Sequence, residues 1–217
     1  MQRRLGINDA FFDEINTEAK AYILGYITGD GCVTPRVFSI SSKDVENLYH
    51  MRAEMQGKGG IGYAKETGVY TYQQNSPAIC EKLISYGIGP NKTYLLEKVT
   101  AEIPPDLVHH FVRGYFDSDG SWTQEDVSCT VGGKRYHYIR MRAHIRGTIS
   151  FLRFLRSLIP VTCSLQDCKY KALYISKKKD VAAFGLWLYQ EATLFIPRKY
   201  KRFLQRHSEC HAPRNRC

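Results

Sequence analysis

The chain has 217 residues, of which 43% are hydrophobic and 24% are charged, so it can bury a substantial core and does not have the composition of a disordered protein. It carries 31 Lys and Arg against 21 Asp and Glu, a net charge of +10. This surplus favours nucleic acid as partner over an anionic membrane surface. No apolar run approaches the roughly 18–20 residues that cross a bilayer, so no membrane partner is expected.

The beginning of the chain and its cysteines indicate an intracellular protein. Residues 1–15 contain two arginines but no apolar stretch of the kind found in signal peptides. The seven cysteines are scattered and odd in number, which favours reduced thiols over a disulfide framework. The cytoplasm or nucleoid and an organellar matrix both remain open as compartments.

A nine-residue phrase occurs twice and divides the chain. Residues 23–31 read ILGYITGDG, and residues 112–120 read VRGYFDSDG. The two copies lie at the ends of the predicted helices Glu18–Gly29 and Leu107–Ser118. Internal similarity of this kind indicates two related structural units in one chain.

The segments after each copy follow the same order. A strand and an amphipathic helix come first, then two short strands, then a helix near 76–86 in the first half and near 179–191 in the second. A phrase containing lysine closes each half, GPNKTY at 89–94 and IPRKYK at 196–201. The sequence therefore predicts an α+β fold of two pseudo-symmetric αββαββα halves.

The domain boundary is predicted near Ala101–Pro105, because Pro104-Pro105 ends any helix there. This gives an N-terminal half at 1–100, a C-terminal half at 101–207 and a loose tail at 208–217. The second half is longer, mainly because of a predicted hairpin with its turn at Gly132-Gly133.

Small residues recur four apart in both predicted motif helices: Gly25 and Gly29 in the first, Gly114 and Ser118 in the second. Residues at this spacing share a helix face, so the two helices can pack with their backbones in close approach. Glycine within a helix costs about 0.5–1 kcal/mol relative to alanine, and such packing would offset the cost.

Each motif helix is then predicted to end in Asp-Gly, at Asp30-Gly31 and Asp119-Gly120. A glycine at this point is expected as a helix terminator, because it can take a positive φ. The carboxylate lies at the negative end of the helix dipole, and packing of the helices would bring the two aspartates together. A lone Asp-Gly is usually a turn, but the repetition indicates a functional site that binds a divalent cation such as Mg²⁺.

These residues resemble the LAGLIDADG homing endonucleases, in their monomeric form with two motif copies. The resemblance covers about residues 17–207. It departs from the namesake pattern at Thr28, where the family has an acidic residue that Asp117 keeps, and at Arg113, where the family has an apolar one. It implies that the motif helices form the central interface and that two curved antiparallel sheets form a saddle over DNA.

The resemblance also implies an active site. It assigns metal binding to Asp30 and Asp119 with the residues before them, Gly29 and Ser118. A lysine is expected near each metal, which by position is Lys92 in the first half and Lys199 in the second. The expected metal is Mg²⁺, for which Mn²⁺ can substitute. No zinc site is expected, since the spacings of Cys163 and Cys168, and of Cys210, His211 and Cys217, do not fit common zinc sites.

The strand Tyr136–Arg146 is expected to contact DNA. Its apolar face carries Ile139, Met141 and Ile145, and the opposite face is rich in cations and aromatics. The predicted contacts on that face are Tyr138, Arg140, Arg142 and His144. The resemblance adds the outward positions Thr34, Arg36, Tyr63, Lys65, Thr71, Gln73, Thr123 and Lys171.

The predicted function is site-specific cleavage of both strands of DNA at a long, non-palindromic target, by a monomer involved in intron homing. The alternative is a non-cleaving intron RNA maturase or DNA-binding regulator with the same fold, for which intron RNA would be a partner. Retention of both aspartates favours the enzyme. A general RNA-binding protein is less well supported, because the chain has no aromatic RNP pattern or GxxG loop.

Overall fold

A computed structural model describes residues 6–209 of the chain. The tail predicted at 208–217 lies for the most part outside them, together with the cysteines at positions 210 and 217. The first half contains, in order, α1 (Glu18–Asp30), β1 (Gly31–Val33), β2 (Val37–Ser42), α2 (Val45–Glu54), β3 (Gly60–Ala64), β4 (Val69–Asn75), α3 (Pro77–Ser85) and α4 (Lys92–Leu95).

The second half repeats this order after a short 3-10 turn at Pro105–Leu107. It contains α5 (Val108–Asp119), β5 (Gly120–Val131), β6 (Lys134–Arg146), α6 (Ile149–Leu158), β7 (Ser164–Gln166), β8 (Ala172–Ile175), α7 (Lys178–Leu188) and α8 (Pro197–Glu209). The predicted αββαββα order is thus confirmed, and each half has one further helix, α4 or α8, which begins at the lysine phrase.

Each half forms one four-stranded antiparallel sheet, in the orders β1-β2-β4-β3 and β5-β6-β8-β7. Helices α2 and α3 pack on one face of the first sheet, and α6 and α7 contact the second. The register places buried pairs such as Ile40 with Tyr72, and Ala143 with Ile175, on the covered faces. Because side chains alternate along a strand, every other residue points to the opposite, open face of each sheet.

The motif helices α1 and α5 pack against each other at the centre of the molecule, as predicted. A Cβ on Gly25 would overlap the carbonyl oxygen of Phe111, and one on Gly114 would overlap that of Tyr22. Only glycine permits this contact between backbones. One continuous hydrophobic cluster passes through this interface and joins the cores of the two halves.

The glycines end the motif helices as predicted, but without a positive φ. Gly31 has φ −85° and Gly120 has φ −99°, both extended rather than left-handed. A side chain at Gly31 would collide with Ile27, and one at Gly120 with Phe116. These glycines are therefore required because the chain passes directly from helix to strand, close to the last helical turn.

The β5–β6 hairpin is the main difference between the halves. Its strands contain 12 and 13 residues, against 3 and 6 in β1 and β2. Gly132 and Gly133 form the predicted turn, with φ +57° and +78°. Ile139, predicted on the apolar face, is 55% exposed, because this part of the hairpin extends beyond the helices that cover the sheet.

Two further features concern the helices and the cysteines. Within residues 6–209, none of the helices combines the length and the apolar character needed to cross a membrane. Every cysteine in the same range is a free thiol.

Candidate active site

Asp30 and Asp119 lie side by side where the two motif helices end. A Cβ on Gly29 would overlap the Ser118 hydroxyl and lie 2.6 Å from Oδ2 of Asp119, so the carboxylate of one half packs against the backbone of the other. Both aspartates line a cleft of about 490 Å³ between the halves. The small residues of the motif therefore allow the helices to converge at their acidic ends.

The two carboxylates share an environment that disfavours their charged forms. Burial raises the pKa of Asp119 to about 6, and the negative charge of Asp30 adds to the effect against the attraction of Lys92, Lys199 and Arg146. Burial also raises the pKa of Asp30, against the attraction of Lys199 and Lys92. A cation between the carboxylates would relieve both the desolvation and the repulsion.

Lys92 and Lys199 occupy equivalent places at the ends of the two motif helices. Nζ of Lys92 donates to the carbonyl oxygens of Thr28, at 2.9 Å, and Gly29. Nζ of Lys199 donates to those of Phe116, Asp117 and Gly120, at 2.8, 2.6 and 2.7 Å. Both side chains are buried.

These lysines place positive charge at the acidic ends of the motif helices. Each satisfies carbonyls that the end of a helix leaves without partners, and each offsets the negative end of the dipole. Burial lowers the pKa of Lys199 to about 8, against the attraction of Asp117. Burial likewise lowers the pKa of Lys92, against the attraction of Asp119 and Asp30.

The donor atoms at this site suit a hard divalent cation. In the part of the chain that the structure describes, no three His, Cys, Asp or Glu side chains are grouped to hold a metal, so two carboxylates are the charged ligands on offer. Mg²⁺ is typically bound through one or two carboxylates, with water and substrate phosphate completing an octahedral shell. The residues present therefore fit Mg²⁺.

A group of basic and aromatic side chains forms one wall of the same cleft. Lys169, Tyr170 and Lys171 line it from the β7–β8 turn, and Arg146 lines it from the end of β6. The Arg146 guanidinium lies 5.9 Å from the ring centroid of Tyr170. Lys171 was predicted as a site residue, whereas its neighbours Lys169 and Tyr170 were not, because a turn has no periodic pattern that reveals where its side chains point.

Comparison with solved structures settles the fold, although no family model matches the sequence. The LAGLIDADG meganuclease I-AabMI bound to uncleaved DNA superposes with a TM-score of 0.62 at 13% identity, covering 87% of this chain and 88% of that one. The I-GzeII homing endonuclease with its DNA target gives 0.61 at 14%, over 90% and 93%. The I-LtrWI enzyme bound to target DNA gives 0.63 at 9%, over 91% and 93%.

The chain has the LAGLIDADG homing endonuclease fold. The neighbours are single chains that this protein matches over most of its length, so the predicted two-motif form of that fold is confirmed. The helices whose ends carry Asp30 and Asp119 are its two central motif helices.

The two departures from the LAGLIDADG pattern have structural consequences. Thr28 is buried and turns its hydroxyl back to the carbonyl of Leu24, at 2.7 Å. Asp117, at the matching position, reaches across the interface. Its Oδ2 accepts hydrogen bonds from the Tyr22 hydroxyl at 3.0 Å and the Ile196 amide at 2.8 Å, while Oδ1 is buried without a partner.

Arg113, which replaces an apolar motif residue, links three parts of the chain. The side chain is fully buried. It donates to Glu18 Oε1 at 2.6 Å, to the Leu194 carbonyl at 2.8 Å and to the Leu188 carbonyl at 3.0 Å. Glu18 in turn accepts from Thr193 and from the Leu194 amide. The sequence marked Arg113 as unusual but gave no sign of these partners.

Strand β6, which was predicted to contact DNA, carries its cationic side chains on the open face of the second sheet. An acidic residue on the neighbouring strand offsets two of these charges. Arg140 and Arg142 both pair with Glu125 on the adjacent strand β5, the first at 2.7 Å. Arg142 also donates to Ser176 at 3.0 Å and lies 4.6 Å from the Tyr174 ring centroid. The register places Thr123, Tyr138 and His144 on this same face.

Several predicted contacts of the first half are not where the strand pattern placed them. Thr34 and Arg36 lie between β1 and β2, and Lys65 lies in the turn after β3 rather than in a strand. Tyr63 pairs with Tyr70 and so shares the covered face of the sheet. The reason is that these strands are short, and a shift of one residue moves a side chain to the other face.

The other predicted contacts are on the open side or at the cleft. Thr71 and Gln73 share the open face of the first sheet, where Thr71 bonds to Ser41 at 3.1 Å. Lys171 precedes β8 and lies in the cleft with the two aspartates. The open face of the first sheet is therefore small and uncharged, in contrast to the cationic face of the second.

Proposed function

We propose that this protein is a site-specific, metal-dependent endonuclease that acts as a monomer and hydrolyses both strands of a long, non-palindromic DNA target. The observation that carries the proposal is the pair of carboxylates, Asp30 and Asp119, held together at the paired ends of the motif helices with Lys92 and Lys199 beside them. The arrangement provides one carboxylate and one lysine for each of the two DNA strands.

In this proposal Asp30 and Asp119 hold Mg²⁺, or Mn²⁺ in its place, together with the backbone oxygens of Gly29 and Ser118. Such ions lower the pKa of a bound water and stabilise the charge on the leaving oxygen. The Gly29 carbonyl already accepts from Lys92 but has a second lone pair. The ammonium groups of Lys92 and Lys199 offset charge developing on the phosphate.

DNA is the proposed partner because the fold neighbours are described as complexes with DNA and because the second sheet is cationic. Its open face carries Arg140, Arg142 and His144, while Arg146 and Lys171 lie at the cleft. The open faces of the two sheets differ in length and charge. A molecule with such unlike halves is suited to a target without two-fold symmetry, as expected at an intron-homing site.

Removal of the acidic residue between the two arginines should strengthen DNA binding. In a Glu125→Gln variant, Arg140 and Arg142 lose their ion-pair partner and become available to phosphate, so affinity and its dependence on salt should both rise. Arg140→Ala or Arg142→Ala should have the opposite effect, each lowering the slope of log K against log[salt] by about 0.9 per lost phosphate contact. DNA-binding titrations at several salt concentrations measure both the affinity and this slope for each variant. Slopes equal to that of the wild type would show that strand β6 does not contact DNA.

The raised pKa of Asp119 predicts a measurable dependence of stability on pH in the absence of metal. Because its pKa is about 6 in the folded state against a usual 3.8, folding is favoured while the carboxyl is protonated and loses that contribution as pH rises through 6. At pH 7.5, Asp119→Asn should therefore be more stable than the wild type by on the order of 1–2 kcal/mol.

This difference should vanish towards pH 4, and chemical denaturation of both proteins at each pH measures it. Mg²⁺ should reverse the order at pH 7.5, because it stabilises only the protein that keeps both carboxylates. If Asp119→Asn were less stable than the wild type at every pH, neither burial nor the charge of Asp30 would raise the pKa of Asp119 in the folded protein.

The direct test is incubation with a randomised DNA library in Mg²⁺, beside a Ca²⁺ control. We expect breaks at one sequence in both strands with Mg²⁺ and binding without breaks with Ca²⁺. If DNA or structured RNA were bound but never cut with any divalent metal, the protein would be a maturase or a DNA-binding regulator on the same fold.

A further inference from the structure

The outer part of the β5–β6 hairpin reverses the usual placement of apolar residues. Close to the core, the covered face carries the buried side chains of Trp122, Ala143 and Ile145. Farther out, that same face keeps Met141 and the exposed Ile139 but is otherwise polar, with Gln124, Asp126, Ser128, Thr130 and His137. Most apolar residues of this outer part lie instead on the open face, which carries Val127, Cys129, Val131, Tyr136 and Tyr138, here called the hairpin apolar face.

This reversal places apolar surface where the hairpin is widely accessible to solvent. Val131 is 64% exposed, Tyr136 50% and Tyr138 38%. Tyr138 lies opposite Val127, and Tyr136 lies opposite Cys129. Such pairs add to hairpin stability, but pairing alone does not explain why the apolar side is the one continuous with Arg140 and the cationic face.

The hairpin apolar face is therefore continuous with the surface that the proposed function places against DNA. Along the same side of strand β6, Tyr136 and Tyr138 are followed by Arg140, Arg142 and His144. In the major groove the apolar group that base pairs offer is the C5-methyl of thymine, whereas arginine reads guanine or phosphate. The two parts of this face thus have different preferred partners.

We infer that the hairpin apolar face selects thymine at the outer positions of the half-site bound by the C-terminal half, by packing against thymine methyl groups. Arg140 and Arg142 would contact positions nearer the centre of the target. The inference rests on the proposed binding of DNA. The first half has no counterpart, because β1 and β2 are short and the open face there carries small polar residues such as Ser39 and Thr71.

Selection of bound duplexes from a randomised library in Ca²⁺ tests the first consequence. We expect thymine to be enriched at the outer positions of one half-site and not at the mirror positions of the other. Replacement of those thymines by uracil removes only the methyl groups and leaves the protein unchanged. Affinity should then fall about three- to fourfold for each methyl lost, while the same replacement in the other half-site should have no effect.

A matched pair of variants assigns the effect to this face. Val127→Thr keeps a β-branched side chain, so the hairpin should still form. This variant should reduce the preference for thymine over uracil. Thr130→Val changes the opposite face and should leave that preference intact. If a selected target were bound equally well with thymine and with uracil, the inference would be overturned, although the proposed binding of DNA would still hold. If no DNA were bound at all, the proposed function itself would fail.

Discussion

Asp30→Asn and Asp119→Asn are each expected to abolish double-strand cleavage, with a loss of at least about 10²–10³-fold in rate. Each substitution removes a negative oxygen from a site where two carboxylates are the charged ligands available to a cation in the described part of the chain. Asparagine keeps the shape of the side chain, so the contact of Asp119 with Gly29 should persist. The measurement is conversion of a supercoiled plasmid carrying the selected target to linear product in Mg²⁺.

Binding and stability distinguish lost chemistry from lost structure. DNA affinity in Ca²⁺-free buffer should remain within a few-fold of the wild type or rise, because the substitution removes a charge that repels phosphate. Asp106→Asn is a suitable control, since this residue is exposed and precedes the opposite end of α5. It should cut at the normal rate. Linear product formed at the wild-type rate by either active-site variant would refute the assignment.

The parts of the fold that follow from local rules could be predicted from the sequence. The small residues four apart, at Gly25 and Gly29 and at Gly114 and Ser118, predicted the close packing of the motif helices, and the repeated Asp-Gly predicted that two carboxylates meet at their ends. Period-two alternation identified the strand that ends at Arg146 and separated its two faces, although Ile139 on the apolar face is exposed because the hairpin extends beyond the core. In each case the physical cause acts within one element or between two equivalent ones.

The parts that depend on distant segments could not be predicted in this way. The bonds of Lys199 to the end of α5 join residues about 80 positions apart, and no periodicity records such a contact. Tyr63 was misplaced because a short strand specifies its register weakly. Arg113 was recognised as an exception to the motif, but its partners at Glu18 and Leu194 come from the two ends of the chain.

Arg113→Met is expected to lower the free energy of unfolding by about 3–5 kcal/mol. Methionine fills much of the volume but leaves Glu18 without its cationic partner and the carbonyls of Leu188 and Leu194 without their donor. Burial tends to raise the pKa of Glu18, yet bonds from Leu194 and Thr193 hold it below its usual value. The charge of Glu18 therefore persists at neutral pH and would be left uncompensated at the interface between the halves.

Arg153→Met makes the same change on an exposed position of α6 and should alter stability by no more than about 0.5 kcal/mol. Urea denaturation of both variants gives the comparison. Because Leu194 leads into α8, where Lys199 reaches the end of α5, cleavage by Arg113→Met should also fall at temperatures where it is still folded. A loss of stability below about 1 kcal/mol would mean that apolar packing can replace this ion pair, as happens in some proteins, and that Arg113 does not hold the halves together.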